Sequence, residues 1–141
     1  MKGTSPAKQE RKEVYLDYAA TTPLDPEVFA AMKPYLQEEY GNPGSFNTLG
    51  MRARDALDAA RSAVAKILHV KTSEIFFTSG GTESINLALK GVMHANKEKG
   101  NHLITTKIEH HAVLQTCEYL EKYENVEVTY LNVNQEGCVD P

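Results

Sequence analysis

The chain has 141 residues, of which 41% are hydrophobic and 24% are charged, a composition typical of one soluble globular domain or part of one. Its formal net charge is −4, and its lysines and arginines do not cluster in a basic stripe. Both features argue against a nucleic-acid-binding protein. No apolar run approaches the roughly 18 residues that a membrane span requires, and the polar N-terminus lacks the apolar core of a signal peptide. We therefore expect a cytoplasmic protein without a nucleic-acid or membrane partner.

The N-terminal region is predicted to contain a tail, a short strand and one interrupted helix. Residues 1–12 are polar and are interpreted as a disordered tail before the folded region, residues 13–141. The run that opens at Val14 is strand-like. A helix is predicted to start after Asp25, because the following Pro-Glu suits the first helical position and the positive helix end. Pro34 is expected to kink or split this helix.

From Gly41 onward, helical and strand-like patterns alternate. Gly41–Gly50 contains three glycines and a proline and is predicted to be a loop. Helical patterns follow this loop and then follow the strand-like segments "SEIFFTS" and "HLITTK", and the strand-like "VEVTYLNV" comes last. Gly100 is expected to cap the helix after "SEIFFTS", and Cys117 is expected in the core. The alternation predicts an α/β fold with a mostly parallel sheet.

The turn "SGGTES", residues 79–84, joins a strand-like run to a helical pattern. Gly80 and Gly81 lack a Cβ, so the backbone can bend sharply and approach a ligand. The following helix start offers free N–H groups and a positive dipole end, and Thr82 adds a hydroxyl. The turn matches neither the Walker loop nor the Gly-x-Gly-x-x-Gly pattern. The residues alone leave open a plain turn or a phosphate site for another ligand.

Three other segments have both a functional and a plain interpretation. His110 and His111 follow a strand, where one of them could stack on a ring or move a proton, or could simply be solvated. The small residues of "LDYAATTP" could let a ligand approach or could form a strand end and turn. The Gly41–Gly50 loop could be a lid or a partner contact. No metal site is expected, because no second His/Cys group lies at ligand spacing.

Taken together, "YLDYAATTPLDPEV", "GNPGSFNTLG", "IFFTSGGTESINLALKG" and "EHHAVLQTC" resemble the N-terminal part of cysteine desulfurases in order and spacing. The resemblance is to the branch that supplies sulfur for iron–sulfur cluster assembly and tRNA thiolation, and it covers nearly all of residues 13–141. It implies a homodimer with the fold of type I pyridoxal 5'-phosphate (PLP) enzymes, of which this chain would form the N-terminal segment and the first part of the large domain. It also implies conversion of L-cysteine to L-alanine, with a persulfide sulfur passed to an iron–sulfur scaffold or another sulfur-acceptor protein.

The resemblance also implies roles for individual residues. In the matching "SGGTES" motif, Gly81 and Thr82 bind the cofactor phosphate. In the matching "EHHAV" motif, the first histidine, His110, stacks on the pyridine ring and acts catalytically in proton movement. The residues implied to lie near the substrate are Ala19, Ala20 and Thr21.

Two features depart from the family pattern. Asn47 stands where the glycine-rich loop usually has a histidine. The family's Schiff-base lysine and persulfide-forming cysteine belong to later segments that match nothing in this sequence, so the chain alone is expected to be inactive. The alternatives are another type I PLP enzyme (an aminotransferase or a selenocysteine lyase), a truncated non-catalytic partner-binding protein and a generic phosphate-binding α/β module.

Overall fold

The computed structural model describes residues 13–139, so the predicted tail, residues 1–12, lies outside the described residues. The described residues divide into two compact units, with the boundary between Thr72 and Ser73. The first unit contains two long helices, and the second contains helices and a parallel sheet. The second unit confirms the predicted α/β class with parallel strands.

The first helix, α1, spans Pro26–Gln37 and begins as the sequence predicts. The carboxylate of Asp25 caps it and accepts a hydrogen bond from the N–H of Glu27 at 2.8 Å. The helix continues through Pro34, so the expected split is wrong. Pro34 lies in the last turn, where its missing N–H removes only one helical hydrogen bond, and its carbonyl still accepts from the N–H of Glu38 at 2.8 Å.

The second helix, α2, spans Thr48–Leu68 and confirms the helix predicted after the glycine-rich loop. Asn47 caps its N-terminus, since its side-chain oxygen accepts from the N–H of Gly50 at 2.8 Å. The helix ends at Leu68, and its C-cap residue, His69, takes a left-handed conformation with φ 56° and ψ 40°. The two caps fix both ends of the longest described helix.

The second unit has a β–α–β arrangement preceded by a further helix. A single 3-10 turn, Thr72–Glu74, spans the boundary between the units. The helices and strands that follow are α3 (Gly81–Asn96), β1 (His102–Thr106), α4 (His111–Glu124) and β2 (Glu127–Leu131). The two strands pair in parallel, with His102 opposite Glu127 and Thr106 opposite Leu131. Helix α4 is the crossover between them, as parallel pairing requires.

Two segments with strand-like patterns do not form strands among the described residues. The stretch from Val14 leads into a turn at residues 18–20, and residues 75–78 follow the 3-10 turn without strand geometry. A strand exists only when a neighbouring strand pairs with its backbone, and the described sheet has the order β1-β2. The apolar pattern alone therefore gave the wrong element at both places.

Gly100 is not the cap of α3, contrary to the sequence prediction. The helix ends at Asn96, and its cap residue is Lys97, in the right-handed helical region. The N–H of Gly100 donates to the Asn96 carbonyl at 3.3 Å, and among the described glycines only Gly137, at φ 80°, lies in the left-handed range. The last turn therefore ends without the left-handed residue that glycine would supply.

The core of the second unit lies along one face of α4. Leu120 and Cys117 have relative exposures of 0%, which confirms Cys117 as a core residue. The hydroxyl of Thr116, also buried, donates to the carbonyl of Ala112 at 2.7 Å, so burial leaves that side chain paired. This face holds α4 against α3 and β2, and it thereby sets α3 and α4 side by side.

Candidate active site

The start of α3 is an uncapped helix end in open space. Gly80 is the cap residue, in an extended conformation, and no side chain hydrogen-bonds to the first N–H groups of the helix. Among the described residues, the N–H groups of Gly81 and Thr82 and the Thr82 hydroxyl have no hydrogen-bond partner. Apart from the adjacent residues and the backbone of α3 itself, a Cβ built on Gly80 or Gly81 would meet no atom within 4 Å. These groups fit an anion such as a phosphate, because donors and a positive helix end face unfilled space.

Side chains on both sides of the two glycines tie the turn together. One carboxylate oxygen of Glu83 accepts from the N–H and the hydroxyl of Ser79, each at 2.6 Å. These hydrogen bonds, the side-chain one first, lower the pKa of the Glu83 carboxyl. The hydroxyls of Thr78 and Ser84 lie 2.6 Å apart and share a second hydrogen bond. The glycines were predictable from the motif, whereas Glu83 was not predicted; its only sequence signal is an acidic residue four positions after a serine.

His110 stands at the equivalent place before α4. It is the cap residue, and its Nδ1 accepts from the N–H of Ala112 at 3.0 Å. In the neutral ring the proton must then be on Nε2. The ring of His111 lies 6.3 Å away, centroid to centroid, at an interplanar angle of 61°. The cap fixes the His110 ring in one orientation, with one exchangeable proton on its free side.

A groove between α3 and α4 brings the two helix starts together. Its volume is about 230 Å³. The residues that line it are Thr82, Asn86 and Lys90 of α3 and Ala112, Gln115, Thr116 and Tyr119 of α4. The Lys90 ammonium lies 4.3 Å from the centroid of the Tyr119 ring, a cation–π contact that closes the far end. Thr82, near the start of α3, and Ala112, two positions after His110, thus line the same groove.

The proposed substrate-side residues Ala19, Ala20 and Thr21 lie in the first unit, around a turn. The N–H of Ala20 donates to the carbonyl of Asp17 at 3.1 Å. The hydroxyl of Tyr15 reaches the Asp17 carbonyl at 2.9 Å and the Thr21 carbonyl at 3.2 Å. This turn is ordered by its own hydrogen bonds and is exposed. The assignment of these three residues to a substrate stays a prediction.

The glycine-rich loop is packed tightly onto the start of α2. A Cβ on Gly41 would lie 2.1 Å from the carbonyl oxygen of Leu49, and one on Gly50 would lie 2.5 Å from that of Ser45. Only glycine fits such backbone approaches. Asn47, which replaces the family's usual histidine, supplies the cap oxygen at this point. This packing favours a fixed structural segment over the mobile lid that its composition allowed.

Between residues 13 and 139, no group of three or more His, Cys, Asp or Glu side chains is arranged to hold a metal ion. None of the helices in that range is long and apolar enough to cross a membrane. Cys117 is buried and Cys138 is exposed, and both are free thiols. Burial raises the pKa of the Cys117 thiol, which leaves it in the less nucleophilic, protonated form.

Comparison with known proteins identifies the family. The class-V aminotransferase model matches residues 14–141. The chain is 56% identical to the cysteine desulfurase IscS of Dictyoglomus turgidum over 131 residues, which are 93% of this chain and 33% of the relative. It is 51% identical to the cysteine desulfurase IscS of Methanosarcina thermophila over 132 residues, 94% of this chain and 32% of the relative. The chain thus spans about a third of the length of the curated relatives that it matches.

Solved structures agree with the sequence comparison. A NifS-like protein superimposes with a TM-score of 0.84 at 43% identity, covering 92% of this chain and 35% of that chain. SspA, in complex with cysteine, superimposes with a TM-score of 0.75 at 42% identity, covering 82% of this chain and 33% of that chain. Because the family model matches all but the first residues of the sequence, the chain belongs to the class-V aminotransferase family.

Proposed function

We propose that this chain is the N-terminal portion of a PLP-dependent cysteine desulfurase. The complete protein converts L-cysteine to L-alanine and delivers persulfide sulfur to an iron–sulfur scaffold or another acceptor protein, for cluster assembly or tRNA thiolation. It works as a homodimer in the cytoplasm. The observation that carries the proposal is the 56% identity with a cysteine desulfurase along 93% of the chain.

The start of α3 supplies the proposed phosphate site. The N–H groups of Gly81 and Thr82 donate to the phosphate, and the Thr82 hydroxyl adds a third donor at the positive helix end. Support comes from the free donors and from the open space beside Gly81. PLP, when bound, supplies an electron sink for bond cleavage at the amino acid.

His110 is proposed to contact the ring of the cofactor and to move a proton. Its Nδ1 is engaged by the N–H of Ala112, so the ring keeps one orientation and exchanges its proton at Nε2. Ala19, Ala20 and Thr21 are proposed to lie beside L-cysteine, since side chains of this size leave room for a small amino acid.

Residues 1–141 alone are proposed to be inactive. The family's chemistry needs a lysine that anchors the cofactor and a cysteine that accepts sulfur, and neither motif is matched in this sequence. Cys117, buried at 0% exposure with a raised pKa, is not suited to that second role. The other type I PLP enzymes have less support, because the relatives compared above are cysteine desulfurases.

The phosphate site is tested by Thr82→Val in the complete gene product. Spectroscopic titration with PLP and with pyridoxal, which lacks the phosphate, separates phosphate contacts from ring contacts. We expect Thr82→Val to weaken PLP binding about tenfold and to leave pyridoxal binding unchanged. Thr105→Val on β1 is the matched control and should bind both compounds like the parent protein. Equal PLP affinity in parent and Thr82→Val would contradict the assignment.

A further inference from the structure

Three hydroxyl groups lie close to the start of α3, those of Thr78, Ser79 and Ser84, and none of them caps the helix. Serine and threonine hydroxyls are among the preferred helix caps, yet no side chain caps α3. The hydroxyl of Ser79 is held by Glu83, and the hydroxyls of Thr78 and Ser84 hold each other. The hydroxyl groups that could accept from the first N–H groups of α3 therefore form hydrogen bonds with other partners.

We propose that Glu83 is a positioning residue of the phosphate cradle, and that it acts by holding Ser79. The inference rests on the proposed function, because it concerns the same phosphate site. The carboxylate binds the Ser79 N–H and hydroxyl at 2.6 Å each and so spans Gly80 and Gly81. It keeps Gly80 extended just before the helix and leaves the N–H groups of Gly81 and Thr82 free for the ligand.

Two physical effects link the hydrogen bonds between Ser79 and Glu83 to the affinity for phosphate. Two adjacent glycines have a large conformational freedom, and a ligand that must order them loses affinity. A released Ser79 hydroxyl could also turn toward the helix start and occupy the donors that the phosphate needs. Both effects predict weaker phosphate binding when the acceptor at position 83 is removed.

The charge of Glu83 acts in the opposite direction. A carboxylate in the first turn of α3 repels a phosphate bound at the same helix end. If this charge were its main effect, Glu83→Ala and Glu83→Gln would both bind phosphate more tightly. Under the positioning role the two variants differ, because glutamine keeps an oxygen that accepts from Ser79 and alanine does not.

The test compares variants of the complete gene product in titrations with PLP and with pyridoxal. We expect Glu83→Ala to weaken PLP binding about five- to tenfold with pyridoxal binding unchanged. Glu83→Gln should retain the affinity of the parent protein or exceed it. Ser79→Ala loses the hydroxyl hydrogen bond to Glu83 but keeps the one from the Ser79 N–H. Its PLP affinity should therefore lie between those of Glu83→Ala and Glu83→Gln. Glu118→Ala on the exposed side of α4 is the control for a lost negative charge and should match the parent.

The following outcomes would contradict the positioning role of Glu83. PLP affinity in Glu83→Ala equal to that of the parent, or tighter binding in both Glu83 variants, overturns it and leaves the proposed function standing. Parallel losses for PLP and pyridoxal would show a general loss of structure and also overturn it. A parent protein that binds PLP no better than pyridoxal overturns the phosphate site itself, and the positioning role with it.

Discussion

Asn47 shows how one substitution within a motif can be explained by local geometry. The cysteine desulfurase pattern usually has a histidine at this place in the glycine-rich loop, and here the asparagine oxygen accepts from the N–H of Gly50 at 2.8 Å. Asparagine is one of the best helix caps because its short side chain reaches back to the first turn. The residue is therefore explained by the start of α2 without any role in proton transfer.

Replacement of Asn47 tests this structural role. We expect Asn47→Ala to lower the free energy of unfolding by about 1 kcal/mol, the usual loss when a cap is removed. Asn47→Asp keeps a cap oxygen and should stay close to the parent protein. Urea denaturation followed by circular dichroism measures both. An Asn47→Ala variant as stable as the parent would show that the cap contributes nothing.

At the residue scale, features with a local sequence signal were predictable, and features that depend on neighbouring residues in space were not. The cap at Asp25 was predictable, since Asp-Pro-Glu places every preference for a helix start in consecutive positions. The ends of α2 and α4 were not, because His69 and Asn125 take the left-handed conformation that glycine usually supplies. The hydrogen bonds between Ser79 and Glu83 depend on the direction of the side chains across the turn. The spacing of the two residues in the sequence does not predict that direction.

At the scale of elements, α4 is the structural centre of the second unit. It connects the two parallel strands and presents Cys117 and Leu120, both at 0% exposure, to its neighbours. The 3-4 spacing of its apolar residues made this helix and its buried face predictable. Residues 75–78 were misassigned because strand formation depends on a pairing partner, and an apolar run does not reveal one.

Packing of α4 is tested by Leu120→Ala. We expect a loss of about 2–5 kcal/mol in the free energy of unfolding, because the substitution leaves a cavity in the core. Leu87→Ala on α3 removes the same atoms from a side chain that is 56% exposed, and it should cost much less. Chemical denaturation of both variants gives the comparison. Equal losses would contradict the placement of the core along α4.

At the scale of the whole molecule, the described residues carry much exposed apolar surface in both units. Leu16 and Phe46 are exposed at 87% and 89% in the first, and Phe76 is exposed at 75% in the second. The curated relatives are about three times as long as this chain, which covers 33% of the first of them. We expect the remaining length of a complete family member, together with the second subunit of the proposed homodimer, to cover these side chains.

The proposed function is tested by a desulfurase assay on two proteins, the complete gene product and residues 1–141 alone. Each is incubated with PLP and L-cysteine, and both L-alanine and released sulfide are measured in the presence of a reductant. The proposed function predicts L-alanine and sulfide in equal amounts from the complete protein and neither from residues 1–141. A complete protein that binds PLP but forms no L-alanine, or a 141-residue chain that does form it, would contradict the proposed function.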